Sequence, residues 1–202
     1  MNECKRSENN WTRVAVFAGG DRGHYRTDFD CFVGVDRGSL WVLEEDLPLT
    51  LAVGDFDSVT ADERQLIQKR AQRFIQAQPE KDDTDLELAL LTIFEQNPQA
   101  QVTIFGALGG RIDHMLANVF LPSNPKLAPY MRQIAIEDGQ NVISYCPEGT
   151  SQLGPRSDYD YLAFMPVRDS QLTIIGAKYE LTEENFFFKK VYASNEYIDR
   201  EV

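Results

Sequence analysis

The stretch running from Gly54-Asp55-Phe56-Asp57-Ser58 to Lys81-Asp82-Asp83-Thr84-Asp85 decides the fold. It follows Leu51-Ala52-Val53, a short apolar run that reads as a buried strand, and it leads into a helix over 84–96. Leu86, Ala89, Leu90, Ile93 and Phe94 recur at helical spacing there, and Thr84 with Glu87 has the form of a capping box. One acidic cluster therefore falls where a strand ends and the other where a helix begins. An aspartate in such a place also caps turns and helices. Carboxylates gathered at element ends, with Lys81 beside them, suit a hard divalent cation shared between protein oxygens and phosphates.

Upstream of this stretch the same pattern repeats. Arg13–Ala18 reads as a strand ending in Gly19-Gly20-Asp21-Arg22-Gly23-His24, and Cys31–Val35 as a strand ending in Asp36-Arg37-Gly38, followed by a helix over Leu40–Glu45. Thr60 and Glu63 form a second capping box, opening a helix with Leu66, Ile67, Arg70 and Phe74 on one side. Downstream, Phe74–Ala77 and Val102–Phe105 read as strands. Gly106-Ala107-Leu108-Gly109-Gly110-Arg111 then leads to a helix over Ile112–Phe120, with Leu116, Ala117, Val119 and Phe120 expected to face inward. Near-continuous apolar strands alternating with amphipathic helices predict a parallel sheet covered on both faces. In such sheets ligands lie outside the carboxyl ends of the strands, where the glycines and aspartates fall here.

The texture changes at Leu121-Pro122-Ser123-Asn124-Pro125, and three of the nine prolines lie between 122 and 129. Beyond it the chain alternates without helical period, with Asp138-Gly139 as a hairpin signal between Gln133–Glu137 and Asn141–Tyr145. The expected organisation is a leader over 1–12, an α/β parallel-sheet domain over 13–124 and an all-β sandwich over 125–202.

The formal charge of −12 argues against a nucleic-acid backbone as partner. No apolar run is long enough to span a membrane, and Met1–Asn10 lacks the apolar core of a signal peptide. Cys4, Cys31 and Cys146 show no CxxC spacing, and Cys31 and Cys146 read as buried thiols. Together these point to a cytoplasmic protein. A pocket rich in carboxylates repels phosphates unless bound cations invert the local field.

Gly54-Asp55-Phe56-Asp57-Ser58, Lys81-Asp82-Asp83-Thr84-Asp85, Gly109-Gly110-Arg111-Ile112-Asp113-His114 and Ser194-Asn195-Glu196 occur in an order and spacing that resemble the thiamin pyrophosphokinases. The resemblance runs from about Val14 to Tyr197. It implies an α/β nucleotide-binding domain followed by a β-sandwich, a homodimer with thiamin bound between domains at the subunit interface, and transfer of the diphosphate of ATP to the hydroxyl of thiamin with Mg2+. It further implies that Asp55, Asp57 and Asp85 hold the metal.

The residues themselves suggest the remaining roles. Lys81 can reach phosphate oxygens, and Asp36 can accept from ribose hydroxyls, although either an aspartate cap or a solvated lysine is an ordinary alternative. Gly19, Gly20, Gly109 and Gly110 let backbone N–H groups approach phosphates. Arg111 is assigned to phosphate and Asp113 to substrate positioning; with thiamin as the substrate that the resemblance implies, Ser194 and Asn195 are assigned to its aminopyrimidine ring. Family members usually run on beyond the Ser-Asn-Glu segment, so either a short β-sandwich or a sequence truncated at its C-terminus is expected here. A pyrophosphokinase for another alcohol, such as a hydroxymethylpterin, and a nucleotide-binding module without chemistry are the competing readings.

Overall fold

The structure is a computed structural model that describes residues 11–78, 83–154, 156, 158–168 and 171–198. It divides into two compact units, one up to Pro147 and the other from Glu148.

The first unit is built on a seven-stranded sheet. Its strands are β1 (Arg13–Phe17), β2 (Cys31–Val35), β3 (Leu49–Gly54), β4 (Arg73–Gln76), β5 (Gln101–Phe105), β6 (Ile134–Glu137) and β7 (Val142–Ser144), in the order β4-β3-β2-β1-β5-β6-β7. All neighbours pair in parallel except β6 and β7. Among the described residues the α-helices that accompany them are α1 (Gly38–Glu44), α2 (Ala61–Arg70), α3 (Asp85–Gln96) and α4 (Ile112–Phe120).

Strand alternation sorts the apolar side chains to the two faces. Val14, Val16, Val33, Val35, Leu51, Val53, Val102 and Ile104 pack with Leu86, Ala89, Leu90, Ile93 and Phe94 of α3. Ala15, Phe17, Phe32, Ala52 and Phe105 pack with Leu40 and Val42 of α1 and Ile67 of α2. Between β1 and β2 no helix forms. The loop over 18–30 covers that second face with Tyr25 and Phe29, whose rings meet Phe17 at 5.5 Å and Phe105 at 5.8 Å. The chain steps from β1 outward to β4 and returns through α3 to β5, on the other side of β1. The sheet therefore has its switch point between the carboxyl ends of β1 and β5, the usual position for a ligand crevice.

Several expectations need correction. The hairpin signalled by Asp138-Gly139 does form, with Asp138 Oδ1 accepting from the N–H groups of Gln140 and Asn141, each at 2.7 Å. Its first strand, however, pairs in parallel with β5, so it extends the α/β sheet. The boundary expected at 124 differs from the division after Pro147 because the proline-rich segment is a 3-10 connection inside the first unit, over Leu121–Ser123 and Ala128–Gln133.

On α4 only Val119 is buried. Leu116 is 45% exposed and Phe120 44%, so these positions do not face inward, and Ala117 is exposed as well. Leu66 of α2 is likewise exposed, leaving Ile67 as that helix's buried residue. Cys31 is buried, whereas Cys146 is exposed. The expected leader falls on residues 1–10, outside the described residues, and on Trp11 and Thr12. Trp11 packs on the core and its carbonyl accepts from Asn97 Nδ2.

The second unit is an antiparallel β region. β8 (Leu162–Phe164) pairs with β9 (Tyr192–Asn195), and isolated bridges join Ile174 to Leu181 and Ala177 to Tyr197. Its core is small: Ile174, Ala177 and Leu181, with Phe164, Leu172, Phe186 and Tyr192 around them. The expected order of an α/β half followed by an all-β half holds. No helix among the described residues is long and apolar enough to cross a membrane.

Candidate functional site

Three carboxylates converge at the carboxyl ends of the sheet. Asp36 follows β2, Asp55 follows the adjacent β3, and Asp85 is the first residue of α3, which packs over both strands. One oxygen from each lies within 4.8 Å of the other two, and all three residues are partly buried. That spacing is short enough for one cation to meet all three.

Local backbone geometry aims these groups. Asp36 has φ 48 and Phe56 has φ 59, both in the left-handed region that costs a non-glycine residue energy. The turn at Phe56 points its N–H at Asp36 Oδ1, 3.1 Å away, while its ring is buried and stacks on Phe74 at 4.7 Å. Gly54 is the residue that Asp36 lies against: a Cβ there would stand 1.9 Å from Asp36 Oδ1. The Asp57 N–H donates to Asp55 Oδ1 at 3.0 Å and fixes that carboxylate in turn.

The charge balance is unfavourable without a counter-ion. Burial, then Asp85, then Asp55 and Asp57 push the Asp36 carboxyl up to about 7, against a lowering contribution from the Phe56 N–H. A site that crowds carboxylates until one of them resists ionising fits a divalent cation, which restores all three charges.

At the switch point two loops meet. Ala18 N–H donates to Phe105 O at 2.8 Å and Gly20 N–H to Gly106 O at 3.0 Å. A Cβ on Gly20 would lie 2.4 Å from Gly106 O, so this contact requires glycine. Gly109 and Gly110 follow at φ 87 and 66. Gly19 and Gly20 are therefore brought next to the Gly106–Gly110 loop, one strand from Asp36. Arg22 holds its own loop down by ion pairs to Glu44 and Glu45 of the α1 end.

Arg111 and Asp113 at the start of α4 pair with one another: Arg111 Nη2 meets Asp113 Oδ2 at 2.7 Å and Nε meets Oδ1 at 3.2 Å. The guanidinium holds the Asp113 carboxyl below its ordinary range. Both side chains are well exposed. Lys81 and Asp82 lie outside the described residues.

Two of the expected site residues belong to the second unit. Asn195 is buried, and its amide clamps Tyr179 at both edges, with Oδ1 accepting from Tyr179 N at 2.9 Å and Nδ2 donating to Tyr179 O at 2.7 Å. Oδ1 also accepts from Glu196 N–H. Most of the amide's hydrogen-bonding capacity is therefore used in holding the 176–180 turn to β9. Ser194, by contrast, is exposed and left-handed at φ 59.

The structure thus groups Asp55 and Asp85 as the sequence predicts, but their third partner is Asp36, the residue assigned to ribose. Asp57 is exposed and outside the trio, close enough to act on Asp36 through its charge. The sequence carried one signal for this, an aspartate after each of two adjacent strands. It carried none for the left-handed turn that swings Asp36 across Gly54.

Residues 23–130 match the family model described as thiamin pyrophosphokinase, catalytic domain, and residues 150–202 match the one described as thiamin pyrophosphokinase, vitamin B1 binding domain. The chain is 35% identical over 176 residues to a thiamine pyrophosphokinase of Bacillus subtilis (strain 168), covering 83% of this chain and 81% of that protein. A crystal structure of a thiamin pyrophosphokinase family protein from Enterococcus faecalis is 45% identical, covers 93% of this chain and 91% of its own, and superposes with a TM-score of 0.84. The Bacillus subtilis crystal structure, at 32% identity and the same coverages, gives 0.75.

Proposed function

The chain belongs to the thiamin pyrophosphokinase family, and from that premise we propose how its residues carry out the reaction. It is an ATP:thiamin diphosphotransferase. The thiamin hydroxyl attacks the β-phosphorus of ATP, the bond from that phosphorus to the α-phosphate oxygen breaks, and thiamin diphosphate and AMP leave with release of the hydroxyl proton. Such a transfer asks for positioning and charge neutralisation more than for covalent work by the protein.

The observation that carries the site assignment is the meeting of Asp36, Asp55 and Asp85 within 4.8 Å at the sheet's carboxyl edge. We assign these three to a divalent cation, with Mg2+ as the ion whose hard oxygen preference fits them. When bound, Mg2+ neutralises charge on the phosphate oxygens and orients them for in-line attack. Asp57 holds Asp55 in place through its N–H and adds its own charge to the cluster.

The N–H groups of Gly19, Gly109 and Gly110 are assigned to the phosphates, a role that glycine permits because no side chain stands in the way, while the Gly20 N–H is given to Gly106 O and joins the two loops. Arg111, held by Asp113, supplies a planar cation at the same loop, and Lys81 is assigned to the phosphates as a compact cation. Ser194, exposed and left-handed at φ 59, is assigned to offer its hydroxyl to thiamin. Asn195 shapes that surface by clamping Tyr179.

Two copies of the chain as the working unit and a cytoplasmic setting belong to the same reading. Sedimentation near twice the monomer mass checks the first.

Replacing Asp85 with Asn tests the assignment. Turnover is expected to fall by at least about a hundredfold while the melting temperature holds, since several kcal/mol of transition-state stabilisation passes through such an ion. Near-normal turnover removes Asp85 from the site.

A further inference from the structure

Thr84 and Glu87 form only half of the box their sequence suggests. Thr84 Oγ1 accepts the Glu87 N–H at 3.1 Å. The Glu87 carboxylate turns away from the helix start and is buried, 5% exposed. There it accepts from Asn124 Nδ2 at 3.0 Å and faces Lys126 Nζ at 3.5 Å. By contrast, Thr60 and Glu63 at the start of α2 complete the reciprocal box. Glu87 has been recruited to something other than capping.

Asn124 and Lys126 come from the connection between the two 3-10 segments. Asn124 Oδ1 accepts from Lys126 N–H at 3.0 Å, so one side chain orients both the lysine backbone and the glutamate. The Lys126 ammonium also pairs with Asp83. Asp83 stands two residues before Asp85 and Glu87 two residues after it. A single ammonium therefore grips carboxylates on both sides of one member of the trio.

We propose that Lys126, oriented by Asn124, is a positioning residue: by holding Asp83 and Glu87 it sets the first turn of α3 and so fixes Asp85 for the cation it shares with Asp36 and Asp55. Two physical effects oppose one another. The ammonium's own charge repels a nearby cation, whereas its ion pairs tie the start of α3 to a segment outside the sheet, and the positioning effect is the larger. Groups that hold a ligand residue from behind govern metal affinity without touching the ion. This inference rests on the cation site proposed above.

The test is Mn2+ binding to the purified full-length protein, read by the loss of the free-ion EPR signal, together with the Mg2+ dependence of turnover. Lys126→Met is expected to weaken Mn2+ binding about tenfold. The Mg2+ concentration for half-maximal turnover should rise in step, with kcat at saturating Mg2+ much less affected. Lys126→Arg keeps the charge and is expected to recover most of the affinity.

Removing Lys126 leaves the buried Glu87 carboxylate without its cation, with Asn124 still donating to it, which endangers the fold itself. The double variant Glu87→Gln with Lys126→Met removes that charge. It is expected to melt near the wild-type temperature and still to bind Mn2+ weakly.

Wild-type affinity in Lys126→Met, or its return in the double variant, overturns the proposal and leaves Lys126 as a neutraliser of Glu87. If the wild-type chain binds no Mn2+ at all, the cation site fails, and this inference fails with it. Binding by wild type that is lost in Asp85→Asn but unchanged in Lys126→Met sinks the positioning role alone.

Discussion

Asp36 and Phe56 adopt left-handed backbone conformations at the ends of two adjacent strands, φ 48 and 59, and the geometry of the site depends on both. Asparagine tolerates that region at least as well as aspartate, so Asp36→Asn keeps the turn and can still accept the Phe56 N–H. What it removes is a carboxyl pushed up to about 7 from its ordinary 3.8. The folded chain thus holds the Asp36 proton more tightly than the unfolded chain does. Without a divalent cation, this group's contribution to stability is greatest below pH about 4 and is lost as pH rises toward about 7.

Asp36→Asn should therefore raise the melting temperature of the metal-free protein at pH 8, by about 2–4 °C for each kcal/mol regained, and raise it less at pH 5. Equal shifts at both pH values contradict this. The same variant is expected to lose most turnover, as Asp85→Asn does. The sequence shows an aspartate after each strand. It does not show which of them the backbone swings inward, because φ at a non-glycine position is decided by the packing of Phe56 on Phe74 and by the room left at Gly54.

At the scale of elements, local rules read well where a segment is strongly periodic. The helix over 112–120 and the strands over 101–105 and 31–35 lie where their patterns place them, within a residue. The α3 start is also where Thr84 predicts it. Faces were harder. Leu116, Ala117, Val119 and Phe120 of α4 read as a core face by period, yet Val119 alone of that helix is buried and the other three stay exposed. Glu87 was legible as a cap and not as a buried partner of Lys126, which is distant in sequence.

The loop contact at the switch point yields a sharper expectation. Gly20→Ala puts a methyl 2.4 Å from Gly106 O, and neither strand end can retreat without breaking ladder bonds. It should cost about 1–3 kcal/mol of stability and separate the two glycine loops, weakening ATP binding. Unfolding in urea with nucleotide titration measures both, and a stable variant with unchanged ATP affinity would remove this junction from the phosphate site.

At the scale of the whole molecule, the α/β half followed by an all-β half was legible from texture alone, since helical period ends near residue 121. The exact division was not. The Asp138-Gly139 hairpin has the same local pattern whether it joins a parallel sheet or a separate β module, and only its pairing with β5 decides. A fragment ending at Pro147 therefore keeps the complete seven-stranded sheet and the carboxylate trio. It is expected to unfold in one cooperative transition and to bind Mn2+, while forming no AMP from ATP and thiamin. Loss of Mn2+ binding in a folded fragment would contradict the placement of the cation site.

The most direct test of the whole account is the stoichiometry of the reaction. Full-length protein is incubated with ATP, Mg2+ and thiamin, and nucleotides and thiamin esters are separated and counted. AMP and thiamin diphosphate are expected in equal amounts, both abolished when Mg2+ is chelated. ADP with thiamin monophosphate, or AMP formed without a thiamin ester, would contradict that.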